Sequence, residues 1–280
     1  NIGLNWLLIY GNWGFPALGL NGAGWATLVS RFLMAWALYL YVTKSKRYEK
    51  YIRGIQLKRL RLPIIKKMLG IGIPTGLQFV FEVGAFSTAA IMMGWIGVNA
   101  LAAHQIAINL ASISYMMVSG LSAAAMVRVG NQLGRKDISK LREVAFSIFV
   151  MVTVFMSVFA IFFLLTRNYL PLLYIKDTQV VEMAASLLII AGIFQISDGM
   201  QVVGLGALRG LSDAKIPTFI TLMAYWVVGL PLGYFLAFKW HWNEIGIWTG
   251  LLIGLTLTAI LLFYRFHSLS LKLKVKFENA

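Results

Sequence analysis

Seven stretches of this chain, at 20–42, 69–95, 100–127, 144–165, 180–206, 216–238 and 245–266, stay apolar for about the 20 residues that a helix needs to cross a bilayer. A backbone in hydrocarbon has to satisfy its own hydrogen bonds, which leaves helices and closed barrels. Runs of this length select helices. The chain is therefore expected to be an all-α integral membrane protein, a polytopic helical bundle. Its 59% hydrophobic and 12% charged residues agree, against roughly 45–50% and 25% in a soluble domain. A shorter eighth run, NIGLNWLLIYG, opens the chain. It lacks an initiator Met and the basic, apolar and small-residue zones of a signal peptide. It is expected to be a helix entered partway, in the C-terminal part of something longer. The absence of cysteine excludes disulfides, thiol chemistry and cysteine-ligated metals.

The formal charge is +15, and its placement matters more than its size. If the chain crosses the membrane at each run, 21 of the 25 basic residues fall on one side, between Lys44 and Lys67, between Arg128 and Arg142, at Arg209 and Lys215, and from Arg265 to Lys276. Only Arg167, Lys176 and Lys239 fall on the other, and Arg31 lies within a run. Cytoplasmic loops carry this excess, so the expected location is the cell inner (plasma) membrane, multi-pass, with the 43–67 linker and the C-terminus cytoplasmic. Attraction to anionic lipid is the further role expected of the basic linker. No nucleic-acid partner is expected.

The linker is the one long polar stretch, and it divides the chain. The expected organisation is the last two helices of an N-terminal lobe at 1–42 (the first incomplete), a basic linker at 43–67, a six-helix C-terminal lobe at 68–267 and a cytoplasmic tail at 268–280. GAGWATLVS at 22–30 echoes IGIWTGLLIG at 245–254 and places Trp25 and Trp248 at comparable points. Two-repeat chains of this kind are common among transporters. GVNA joins the second and third runs, RVGNQLGRKDISKLRE at 128–143 is expected to form a cytoplasmic surface helix, and Pro74 and Pro231 are expected to bend their helices.

Of ten acidic residues, eight occupy loops or the ends of runs. Glu82 and Asp198 lie inside. Helical rise puts Glu82 about 22 Å past Lys67 and Asp198 about 16 Å before Arg209, both around the middle of a hydrocarbon slab roughly 30 Å thick. Gln195 and Gln201 flank Asp198 at three residues on either side, Gln78 precedes Glu82 by one turn, and the run between them carries Gln105, Asn109, Ser112 and Ser119 at helical spacing. Three wet faces turned towards one another would form a polar cavity. Amides and hydroxyls in a membrane also serve simply to bind helices together; ionisable groups there are usually functional. Removal from water penalises a charged carboxylate, so such acids can take up and release a proton, or when ionised hold Na+ with help from amide oxygens. A cationic ligand competing for that cavity would give antiport.

His104 sits one turn into its helix and suits packing better than proton relay. No three His, Asp or Glu residues have the spacing of a metal cage, so the metal expectation ends at Na+ on Glu82 and Asp198. GLGALRG lacks the Lys-Ser/Thr ending of a phosphate loop. With no nucleophile and base in view, no enzyme and no cofactor beyond a coupling ion are expected. Phe79, Phe86, Met116 and Met117 are candidates for lining a drug site, though such residues also build cores.

Four segments, GIPTGLQFVFEVGAF, AAHQIAINLASISYMM, RVGNQLGRKD and FQISDGMQVVGLGALRG, resemble the multidrug and toxic compound extrusion (MATE) transporters, in order and at suitable distances. The likeness covers nearly the whole chain. It implies the last two helices of a first six-helix lobe and a complete second lobe, the lobes being related by an axis along the membrane normal. It further implies export of organic cations, small-molecule cationic drugs among them, against inward H+ or Na+ by alternating access, with the missing N-terminal lobe as structural partner. Glu82 and Asp198 match the acidic positions that the family uses for coupling-ion binding in this lobe. Phe194 stands where some relatives have a cation-holding tyrosine, which weakens the Na+ option, and Val118 stands where relatives often have proline. The competing reading, a lipid-linked oligosaccharide flippase of related architecture, calls for basic residues in the cavity to meet a pyrophosphate, and the runs of the second lobe are expected to supply none.

Overall fold

A computed structural model describes residues 1–46, 48, 49 and 62–278. Most of the linker expected at 43–67, and the last two residues of the expected tail, lie outside them. Among the described residues the chain is helical without strands. Among them, seven helices are long and apolar enough to cross a membrane, and each contains one of the seven apolar runs. The chain divides into two compact units, Asn1–Ile65 and Lys66–Ala280.

The first unit holds α1 (Ile2–Tyr10) and α2 (Gly19–Lys44). Gly11, in the left-handed region at φ 71°, ends α1, a conformation that glycine adopts without a Cβ clash. The backbone then returns, and the Leu18 amide donates to the Leu8 carbonyl at 3.0 Å. Trp25 is exposed within this unit, whereas Trp248, its expected counterpart, is fully buried in the second.

The second unit is built from α3 (Leu62–Ile96, from Lys66 onward), α4 (Val98–Gly134), α5 (Ile138–Thr166), α6 (Thr178–Gly210), α7 (Lys215–Lys239) and α8 (Asn243–Glu278). Helix α6 is central and packs along α4, α5 and α8. Its sequence explains this position. Ala184, Ala191, Gly192, Gly199 and Gly206 are buried, and small residues let helix backbones approach closely where apolar burial gives no preference over lipid. One apolar cluster gathers Met93, Leu187, Leu188, Tyr225 and Trp248, and another gathers Leu141, Val152, Met156, Leu208 and Phe266.

Helix α3 stands partly apart from this arrangement. Its C-terminal half packs into the first apolar cluster through Ala85, Ala89, Met92 and Met93, and elsewhere few backbone approaches are close and side chains bridge to the bundle. Thr218 donates to the Pro74 carbonyl at 2.8 Å, and the Trp226 indole N–H donates to the Phe81 carbonyl at 2.9 Å. Pro74 lies inside α3.

Around Pro231, α7 widens into π-helical stretches at Met223–Gly229 and Phe235–Lys239. Such bulges absorb a misfit in the backbone ladder, here beside a proline that donates no hydrogen bond.

The expected surface helix at 128–143 is not a separate element. Helix α4 runs through it to Gly134, and α5 starts at Ile138. Val129, Gln132, Ile138 and Leu141 are buried, so this charged stretch keeps an inward face and continues the two long helices. Lys136, at φ 61°, makes the turn, and the Asp137 carboxylate caps α5 by accepting the Lys140 amide at 3.0 Å. The GVNA connection shrinks to Gly97. Helix α8 continues past 266 to Glu278 with Phe266 and Ser270 buried, and Arg142 of α5 donates to the Ser270 hydroxyl at 2.7 Å.

Candidate functional site

Glu82 of α3 and Asp198 of α6 line one cavity of about 360 Å³, together with Phe86, His104, Gln105 and Tyr115. Both carboxyls are more than nine-tenths buried. A second cavity, of about 170 Å³, reaches from Glu82 to Arg209 and includes Gln78 and Ser119. Glu82, Phe79 and Tyr115 border both spaces, so Glu82 stands in the partition between them. The gap beside α3 is what leaves room for the two cavities.

The hydrogen bonds at Glu82 form a chain with a single sense. Gln201 Nε2 donates to Glu82 Oε1 at 3.1 Å, and Gln78 Nε2 approaches Oε2 at 3.5 Å. Each amide oxygen is engaged on the far side: Gln201 Oε1 accepts the Tyr225 hydroxyl at 2.9 Å, and Gln78 Oε1 accepts Arg209 Nη2 at 2.8 Å. The Arg209 guanidinium also lies 5.2 Å from the Phe79 ring centre, within cation–π range. Among the described residues none donates a hydrogen bond to Asp198, which faces the larger cavity.

Arg209 lies outside the 180–206 run, which holds no basic residue, but the helix extends past that run and brings this base to the cavity wall. It belongs to the last turn of α6 rather than to a loop, and its long side chain turns back along the helix towards Gln78. The signal was available: eleven residues separate it from Asp198, close to three helical turns, so the two share a face. Tyr225 was missed for a different reason. It sits in an unbroken apolar run, and its inward direction depends on the π-helical stretch around it.

Other expected residues divide. Gln78 and Gln201 contact Glu82, Gln105 and Ser112 line the larger cavity, and Phe79, Phe86 and Met116 line it as well. Gln195 does not join the cavity. It is fully buried and accepts the Ser114 hydroxyl at 2.8 Å, a bond between α6 and α4 of the helix-binding kind. Asn109 also points elsewhere, and its Oδ1 accepts the Tyr174 hydroxyl at 2.9 Å. A four-residue step from Gln105 overshoots the 3.6-residue turn and carries Asn109 to the edge of the stripe. Met117 is exposed and lines neither cavity, because adjacent helical residues lie about 100° apart and Met116 already faces inward. His104 accepts the Trp248 indole N–H on Nδ1 at 3.1 Å, and Trp248 stacks on Phe194 at 5.5 Å. This is the packing role expected of His104. Among the described residues no three His, Asp or Glu side chains cluster as a metal site.

The model of the MatE family matches residues 74–235, a stretch containing both acids, both glutamines that contact Glu82, Arg209 and Tyr225. The chain belongs to the MatE family. It is 36% identical over 271 residues to the probable multidrug resistance protein NorM of Xylella fastidiosa and 37% identical over 271 residues to the multidrug resistance protein MdtK of Yersinia pseudotuberculosis. These matches take in 95% of the chain, which spans 57% and 59% of the two relatives' lengths. Among solved structures, the eukaryotic MATE transporter AtDTX14 superposes with a TM-score of 0.82 at 24% identity, over 99% of this chain and 62% of that one. A multidrug resistance MATE family transporter in an outward-facing conformation gives 0.82 at 20% identity, over 97% and 61%. At these identities the superpositions establish the fold.

Proposed function

We propose that this chain forms the larger part of a secondary active multidrug transporter, a membrane carrier rather than an enzyme, that exports organic cations in exchange for H+ or Na+ by alternating access. The observation carrying this reading is that Glu82 and Asp198, on different helices, are buried in the wall of one cavity lined by aromatic residues and methionine. The names of the NorM and MdtK relatives support the substrate class. Loading the acids with the coupling ion neutralises the cavity; releasing the ion leaves negative charge that attracts a cationic drug. A ligand moves a two-state equilibrium only by its difference in affinity for the two states, and opposite preferences of ion and drug supply that difference. Phe79, Phe86 and Met116 provide apolar and π surface for the drug. The excess of basic residues on one side supports a cytoplasmic linker and C-terminus. Arg209 is a single base that shares the smaller cavity with the acid Glu82, which does not suit the pyrophosphate of a lipid-linked oligosaccharide.

The test is ethidium efflux from vesicles containing the intact protein. Export should depend on an imposed pH or Na+ gradient, and Glu82→Gln and Asp198→Asn should abolish it while the protein still inserts in the membrane. Export indifferent to both gradients refutes the antiport reading. Full activity in both variants refutes the assignment of the acids.

A further inference from the structure

We propose that Arg209 and Tyr225 are positioning residues that turn the amide N–H groups of Gln78 and Gln201 towards Glu82, making that carboxyl a site that exchanges protons and rejects sodium. The inference rests on the antiport reading above and goes on to say which ion Glu82 carries.

An arginine side chain can only donate hydrogen bonds. Arg209 Nη2 therefore has to meet the oxygen of the Gln78 amide, as it does at 2.8 Å, and the NH2 end is left facing Glu82. The Tyr225 hydroxyl can donate or accept; here it donates to the Gln201 oxygen at 2.9 Å, completing an orientation that the acceptor-only Glu82 carboxylate sets from the other side. Both Glu82 oxygens thus meet donors, Oε1 at 3.1 Å and Oε2 at 3.5 Å. Hard cations are held by several oxygen ligands at once, and here the two nearest amide oxygens are turned away and occupied. The nearby Phe81 carbonyl is also engaged, by the Trp226 indole. Sodium at Glu82 would have to reverse both amides, breaking the Arg209 bond and turning the Tyr225 hydroxyl from donor to acceptor, with the guanidinium charge in the adjoining cavity opposing it. A proton makes no such demand. Each carboxylate oxygen has two lone-pair positions, so each keeps one free for a proton while accepting its amide. In uptake, a hydronium ion in the cavity gives its proton to a Glu82 oxygen and leaves as water; release returns the proton to water. The other titratable or charged groups around Glu82 are Tyr115 of α4, Asp198 and Arg209 of α6, and Tyr225 of α7, with His104 farther along the larger cavity.

Ethidium efflux from liposomes containing the intact protein tests this with imposed gradients of pH alone and of Na+ alone. The pH gradient should drive export at least about tenfold faster than the Na+ gradient, a difference of roughly 1.4 kcal/mol. Arg209→Lys keeps a side chain that only donates and should retain this preference. Arg209→Gln and Tyr225→Phe release the amides, and each should reduce the preference severalfold and shift the pH of half-maximal export, which a merely structural role would not do. Tyr225→Phe, nearly isosteric, serves if Arg209→Gln fails to fold. Wild-type export driven equally well by Na+ alone overturns the inference while leaving antiport intact. So does a folded, exporting Arg209→Gln or Tyr225→Phe variant with unchanged preference and pH profile. Export that ignores both gradients overturns the antiport reading itself.

Discussion

Gly250 of α8 lies where α7 crosses it, and a methyl group placed there measures the contact directly. A Cβ on Gly250 would fall 2.5 Å from both the Gly229 carbonyl oxygen and the Gly233 amide nitrogen. Ordinary contact begins at 3.4 Å, so the helices would have to separate by roughly 1 Å. Both obstacles are backbone, and no side chain can rotate out of the way. Overpacking costs about 1–3 kcal/mol, and the rigid surroundings place Gly250→Ala near the upper end. Replacing a helical glycine by alanine returns roughly 0.5–1 kcal/mol. The expected net loss is about 2 kcal/mol, roughly a thirtyfold fall in the ratio of folded to unfolded protein. Unfolding of the intact protein in detergent micelles, followed by tryptophan fluorescence against denaturant, measures it. Gly130→Ala is the control: its Cβ would meet the Gly210 carbonyl at 3.5 Å, an ordinary contact, so this variant should be neutral or slightly stabilised. Equal stability of the two variants would refute the claim that backbone contact sets the spacing of α7 and α8.

Asp177 caps α6 by accepting the Gln179 and Val180 amides at 3.0 and 3.2 Å; Asp177→Ala should lose about 1 kcal/mol in the same unfolding measurement, and Asp177→Asn should recover most of it. Arg265 bonds Asp213 at 2.8 Å with both side chains partly exposed, so a double-mutant cycle with Arg265→Met and Asp213→Asn should give a coupling of no more than about 1 kcal/mol that weakens in high salt. Trp248→Phe removes the donor to His104 Nδ1 from a fully buried site; it should cost about 2–4 kcal/mol through the unpaired acceptor and the lost volume, and equal stability with wild type would contradict the pairing.

Much of the architecture was legible because membrane helices announce themselves by length and apolarity, two properties that need no tertiary information. The ends were less legible. The stretch at 128–143 is charged along most of its length, and its buried side, Val129, Gln132, Ile138 and Leu141, becomes apparent only against neighbouring helices. Glu82 and Asp198 stood out because charge in an apolar run is costly wherever it occurs. The assignment of amides depended on helical phase, and there small errors matter: Asn109 and Gln195 carry the right chemistry but bond Tyr174 and Ser114. Arg209 was hidden by its position at a helix end, where a base is equally suited to a loop, and the direction of Tyr225 follows from a π-helical widening that the apolar pattern does not reveal.

Helix α3 resembles a door leaf more than a wall. Its frame is a bundle tightly closed by glycine and alanine, and its hinge at that end is the single residue Gly97. Near Gly97 it is packed into the core through Ala85, Ala89, Met92 and Met93; towards the other end a few latches hold it: Thr218 at Pro74, Trp226 at Phe81, Arg209 at Gln78 and Gln201 at Glu82. The first two grip main-chain oxygens whose charge never alters. The last grips a carboxyl, and its hold slackens when that carboxyl is neutralised, because hydrogen bonds to an ionised acceptor are about twice as strong as those between neutral groups.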